Sequence, residues 1–121
     1  PGVMDVIFLG GQHPRHLQWA ERFTAALEAR GHRVALVRYA NWLDATPVTD
    51  VEHEVAATDA AAAALPAGSR PVVIAKSIGT VIATLAAGRG LVSPAGALFL
   101  GMPLERARSL RCRRRCRGLR A

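Results

Sequence analysis

The sequence has no apolar run long enough to cross a membrane. The longest, such as residues 72–75 and 95–100, fall far short of the roughly 20 residues that a transmembrane helix needs. Nor does it open with a basic stretch followed by an apolar one, so nothing points to secretion and a cytoplasmic location is the default expectation. The first residue is Pro1 rather than Met, which reads as a cut rather than as processing. Cysteine is confined to Cys112 and Cys116, a C-x3-C pair without the second pair of Cys or His that a zinc site requires. The pair reads as free thiols, and no metal or other cofactor is expected. A phosphate-binding loop ending in Lys76-Ser77 is excluded, because it would need glycine where Arg70 and Ala75 stand. Gly10-Gly11 likewise lacks the third glycine of a dinucleotide-binding turn.

What is present is half hydrophobic, rich in Ala, Val and Leu, and so belongs with chains that fold. At 121 residues it is one domain at most, short of the usual size of a complete α/β enzyme domain. The net charge of +7 invites a nucleic-acid reading, but residues 1–104 are neutral, with eight basic and eight acidic side chains. The whole excess lies in residues 105–121, where eight arginines meet one acid, Glu105. That tail reads as a basic arm or as out-of-frame translation. Any binding of RNA or DNA is expected only through it, since it has no interleaved aromatic residues.

Residues 3–9 form a short β-branched run ending at Gly10-Gly11, the pattern of a buried parallel strand followed by a permissive loop. Residues 16–30 place Leu17, Ala20, Phe23, Ala26 and Leu27 at helical spacing, with Gly31 where a helix C-terminus prefers glycine. Residues 33–39 predict a second strand and residues 40–48 an irregular stretch. Thr49-x-x-Glu52 has the form of a capping box, opening a helix that Pro66 and Gly68 stop. Residues 71–75 predict a third strand, a helix follows Ser77 at once and ends near Gly88 or Gly90, and residues 95–100 predict a fourth strand. Alternation of this kind specifies an α/β fold: a mostly parallel sheet flanked by helices on both faces. The last visible strand would be an open edge.

A serine set between a buried strand and a helix, with no residue to spare, sits on a tight turn at the carboxyl edge of the sheet. The turn here is Ala75-Lys76-Ser77-Ile78-Gly79, with small residues two before and two after the serine. The Ile78 N–H, at the positive end of the following helix, is placed to meet the oxygen that turns negative when Ser77 attacks a carbonyl. A second donor is expected from the Gly11 or Gln12 N–H in the glycine loop. His13 and His16, on the same loop, would contact substrate, stand in for a base, or simply be solvated. His32 and His53 read as surface residues, Trp19 and Trp42 as packing. Ser77 also has a plainer reading, as an ordinary helix N-cap.

The A-K-S-I-G-T turn (75–80), the F-L-G-G loop (8–11), the helix with Trp19, the 39–42 segment and the G-M-P-L stretch (101–104) together resemble the α/β-hydrolase superfamily, small bacterial members above all. The likeness spans about residues 3–104. It implies a truncated α/β-hydrolase fold and hydrolysis of an ester, thioester or amide by Ser77, with a small-molecule acyl substrate as partner. It also implies a departure. The family's triad runs Ser, then acid, then His, yet after Ser77 there is no His or Asp, and Glu105 is the only acid. The alternative expectation is a non-catalytic remnant or binding module that holds an acyl ligand without turning it over.

Overall fold

The computed structural model describes residues 2–101; the basic tail, with Cys112 and Cys116, lies outside the described residues. Eight elements follow in order: β1 (Asp5–Leu9), α1 (His16–Ala29), β2 (Arg33–Leu36), α2 (Ala40–Leu43), α3 (Val51–Ala63), β3 (Val72–Lys76), α4 (Ile78–Gly88) and β4 (Gly96–Leu100). The strands form one parallel sheet in the order β2-β1-β3-β4. The chain winds outward from β1 to β2, then crosses back to β3 on the other side of β1. The crevice at such a reversal, beyond the carboxyl ends of the strands, is where open α/β sheets bind ligands. Leu9 pairs with Ala75 in register, so the loop after β1 and the turn after β3 emerge side by side.

Residues 6–9 of β1 are fully buried, as a central parallel strand demands. Phe8 packs on Trp19 and Phe23 of α1, with ring centroids 5.7 and 5.1 Å away, whereas Leu9 meets α4 at Gly79. Consecutive strand residues project to opposite faces, so α1 and α4 lie on opposite sides of the sheet. In α1 the core-facing residues are Ala20 and Thr24, flanked by Leu17, Trp19, Phe23 and Leu27. Ala26, counted above in the apolar stripe, is exposed. The helix ends as its glycine requires: Gly31 has φ 89°, and the N–H groups of Gly31 and His32 return to the carbonyls of Glu28 and Leu27.

Three local expectations change. The second strand stops at Leu36, opposite Phe8; beyond it the Val37 N–H still reaches the Phe8 carbonyl, at 3.1 Å. The stretch expected to be irregular contains the short helix α2, whose first N–H, that of Ala40, donates to Glu54 Oε2 at 2.9 Å. The helix α3 is capped by Asp50, which accepts from the His53 N–H at 3.1 Å, not by Thr49. Thr49 is buried and donates its hydroxyl to Asn41 instead, while Glu52 pairs with Arg89. Asp caps a helix as well as Thr does, which frees the threonine for the buried partner. No described helix is long and apolar enough to cross a membrane.

At the amino edge, Asp5 accepts from Arg33 Nε on β2 and from Ser69 Oγ ahead of β3, both at 2.5 Å. These hydrogen bonds hold its carboxyl below the ordinary aspartate value, Arg33 contributing first and Ser69 next. A depressed carboxylate contributes stability above its unfolded-state pKa and loses it as the pH falls through the folded-state value. The urea midpoint should therefore hold level down to the ordinary aspartate range and decline below it. Asp5→Asn should lower the midpoint at neutral pH and flatten that decline, as urea titrations at stepped pH will measure.

Candidate functional site

Ser77 stands alone between Lys76, the end of β3, and Ile78, the start of α4, with φ 52° and ψ −119°. A side chain at positive φ with that ψ is strained by roughly 1–3 kcal/mol and persists only where its surroundings impose it. They do so on both sides. The Ser77 N–H donates to the Leu100 carbonyl of β4 at 3.1 Å, and the Ser77 carbonyl accepts from the Thr80 N–H at 3.0 Å and the Thr80 hydroxyl at 2.8 Å. The hydroxyl of Ser77 is engaged in no hydrogen bond among the described residues. The need for small flanking residues is visible in space: a Cβ at Gly79 would lie 2.3 Å from the Leu9 carbonyl oxygen, and Ala75 is fully buried.

The loop after β1 is held by three side chains from one short segment. Tyr39 donates its hydroxyl to the Gly10 carbonyl at 2.7 Å, Trp42 Nε1 donates to the Gly11 carbonyl at 3.0 Å, and Asn41 Nδ2 donates to the Gln12 carbonyl at 2.8 Å. Asn41 is itself fixed, bonding the Thr46 carbonyl and accepting from Thr49 Oγ1, and Gln12 Oε1 accepts from the Thr49 N–H at 3.3 Å. In a trans peptide the N–H points opposite to the carbonyl, and the described chain has no cis bonds. Turning three successive carbonyls toward Tyr39, Asn41 and Trp42 therefore turns the N–H groups of Gly11, Gln12 and His13 the other way. The turn, loop and side-chain hydrogen bonds of the described residues use neither these N–H groups nor that of Ile78. Glycine is required here by crowding: a Cβ at Gly10 would meet the Trp42 ring at 2.8 Å, and one at Gly11 the His16 ring at 2.7 Å.

Both histidines of the loop are accounted for by position. His13 is exposed, and its Nδ1 accepts from the Arg15 N–H at 3.1 Å, ahead of α1. His16, the first residue of α1, is half-buried against Gly11. Burial first, then the charges of Lys76, Arg15 and His13, hold its imidazole below the ordinary histidine value. His53 is exposed, while His32 is half-buried and its Nδ1 accepts from the Met4 N–H. Trp42 is buried as packing and also works as a donor; Trp19 stacks on Phe23. Among the described residues no cluster of His, Cys, Asp or Glu is arranged to hold a metal.

Sequence reasoning missed Asn41 and Glu54. Glu54 is 1% exposed; among the described residues its Oε1 has no partner, and its Oε2 accepts from the Ala40 N–H of α2. It lies near Tyr39, whose phenol is pushed up by burial and then by Glu54. The available signal was the sequence Y-A-N-W just past a strand: Tyr and Trp buried at a sheet edge need partners for their O–H and N–H. A separate apolar cavity of about 240 Å³ between α4 and β4, lined by Leu9, Val73, Ala83, Ala86, Val92 and Phe99 among others, touches neither Ser77 nor the glycine loop. Comparison with known protein families and with curated proteins finds no match to this chain.

Substitutions at two positions test this geometry. Trp42→Phe keeps the ring but strands the Gly11 carbonyl, and should cost about 1–3 kcal/mol in urea unfolding. Ser77→Gly and Ser77→Ala both lose the hydroxyl, but only glycine accepts φ 52° freely. The glycine variant should be the more stable of the two by about 1 kcal/mol.

Proposed function

We propose that Ser77 is the nucleophile of a serine hydrolase of the α/β-hydrolase kind, acting on a carboxylic ester or related acyl compound. The N–H groups of Ile78 and of Gly11 or Gln12 are its oxyanion donors, and His13 borders the substrate. The observation that carries this reading is the strained backbone of Ser77 at the strand-to-helix turn. Strain of that sort is retained where it aims a side chain, and an ordinary N-cap does not need it. Its support is the neighbouring loop, whose carbonyls are all engaged on the far side. Fixed N–H donors of this kind are each worth about 10²–10³ in rate, because they meet the developing charge without reorganising.

A second reading has its own observation. The Ser77 hydroxyl has no base bonded to it among the described residues. A serine without a base to take its proton is a poor nucleophile. The same site would then hold an acyl ligand without turning it over.

Three measurements test these readings. With p-nitrophenyl acetate we expect no burst of acyl-enzyme, and with a fluorophosphonate no stoichiometric labelling of Ser77; either event would mean that the chain supplies its own base. Phenylboronic acid, a mimic of the tetrahedral intermediate, should move the amide resonances of Gly11, Gln12 and Ile78, and Ser77→Ala should abolish the tetrahedral boron signal. Shifts elsewhere, or a signal unchanged in Ser77→Ala, would overturn the serine site.

A further inference from the structure

At the carboxyl edge of the sheet, Lys76 stands outside the ion pairs of the described residues. Lys76, the neighbour of Ser77, is half-buried, and its ammonium lies 4.7 Å from the centroid of the Trp19 ring. The ion pairs among the described residues join Arg33 to Asp5, Arg38 to Glu21 and Arg89 to Glu52, and none uses Lys76. His16 ties this cation to the glycine loop. Its ring packs on Gly11, and it is close enough to Lys76, Arg15 and His13 for their charges to depress its pKa. An aromatic face attracts and orients an ammonium but does not neutralise it, and leaves N–H donors free for an acceptor.

We infer that the site receives an acyl compound carrying a second, anionic group, which Lys76 binds while Trp19 holds the ammonium in place. This rests on the acyl-site reading above and narrows the substrate class to compounds such as half-esters of dicarboxylic acids. The scissile carbonyl lies at Ser77 and the free carboxylate reaches across Lys76 toward α1. An uncharged diester of the same length fills the same space and leaves the ammonium without its partner.

Titration of the full chain with monomethyl glutarate and with dimethyl glutarate, followed by amide and indole NMR, tests the inference. Both esters should shift the Ile78 and Gly11 amides. The half-ester alone should also move the Trp19 indole resonance, and it should bind up to about fivefold tighter, the upper end for an ion pair at a partly exposed site. Lys76→Met should remove that preference and keep the response to the diester, and Lys76→Arg should retain the preference. Equal affinity for the two esters in the parent chain would overturn the inference and leave the acyl site standing. So would a preference that survives Lys76→Met. Absence of any response to either ester would overturn the acyl-site reading itself. The parent-chain comparison decides the matter even if Lys76→Met does not fold.

Discussion

The close crossing of α4 over the end of β1 is the contact on which the site depends. Gly79, one residue into the helix, leaves no room for a Cβ against the Leu9 carbonyl. Helix and strand thus meet backbone to backbone. That contact brings the start of α4 over the carboxyl end of β1, where the glycine loop begins. A larger residue at 79 would lift the helix, and the Ile78 N–H with it, away from the loop. The rest follows from the parallel register: with Leu9 opposite Ala75, the serine turn and the loop leave the sheet at the same level.

The loop achieves its shape by a different means. Three carbonyls in a row are costly to bury unless each finds a donor, since an unsatisfied buried group costs about 1–3 kcal/mol. The Tyr39–Trp42 segment supplies those donors, and the segment is in turn held by Glu54 from α3 and Thr49 from the linker before it. The network reaches from α3 through α2 to the loop. Half-satisfied, such a network would be a liability; closed as it is around Asn41, it specifies a single loop conformation. Among the described residues, Glu54 Oε1 in this network has no partner.

Much of this was legible in the sequence, and the parts that were not share a cause. The four strands, their parallel pairing and the helices α1, α3 and α4 follow from apolar period and breaker residues, which are local. So does the serine turn, because five consecutive residues encode it. Donor assignments are not local. Nothing near Thr49 says that Asn41 will compete for its hydroxyl, and the capping box failed for that reason. Nothing near Glu54 says that it will be buried beneath α2, since a glutamate between His53 and Val55 reads equally as a surface residue. The glycines at 10 and 11 pointed to a permissive loop. Their space is in fact filled by the Trp42 and His16 rings, so they are there for crowding rather than for flexibility.

The serine turn is anchored between the most and the least buried parts of the sheet. On one side, Ile78 and Gly79 lie on β1, whose residues 6–9 are fully enclosed. On the other, the Ser77 N–H bonds to Leu100 of β4, a strand exposed along its whole length, with Leu98 52% and Phe99 39% accessible. Local opening takes the path of least buried apolar surface, so β4 is the strand whose fluctuations reach the site first. When it frays, Ser77 keeps its helix-side bonds to Thr80 but loses the one bond that holds its own N–H. The strain at φ 52° is then opposed by fewer contacts. The orientation of Ser77 therefore depends on how well β4 is held to β3, whereas the glycine loop, fixed from the buried side by Tyr39, Asn41 and Trp42, does not.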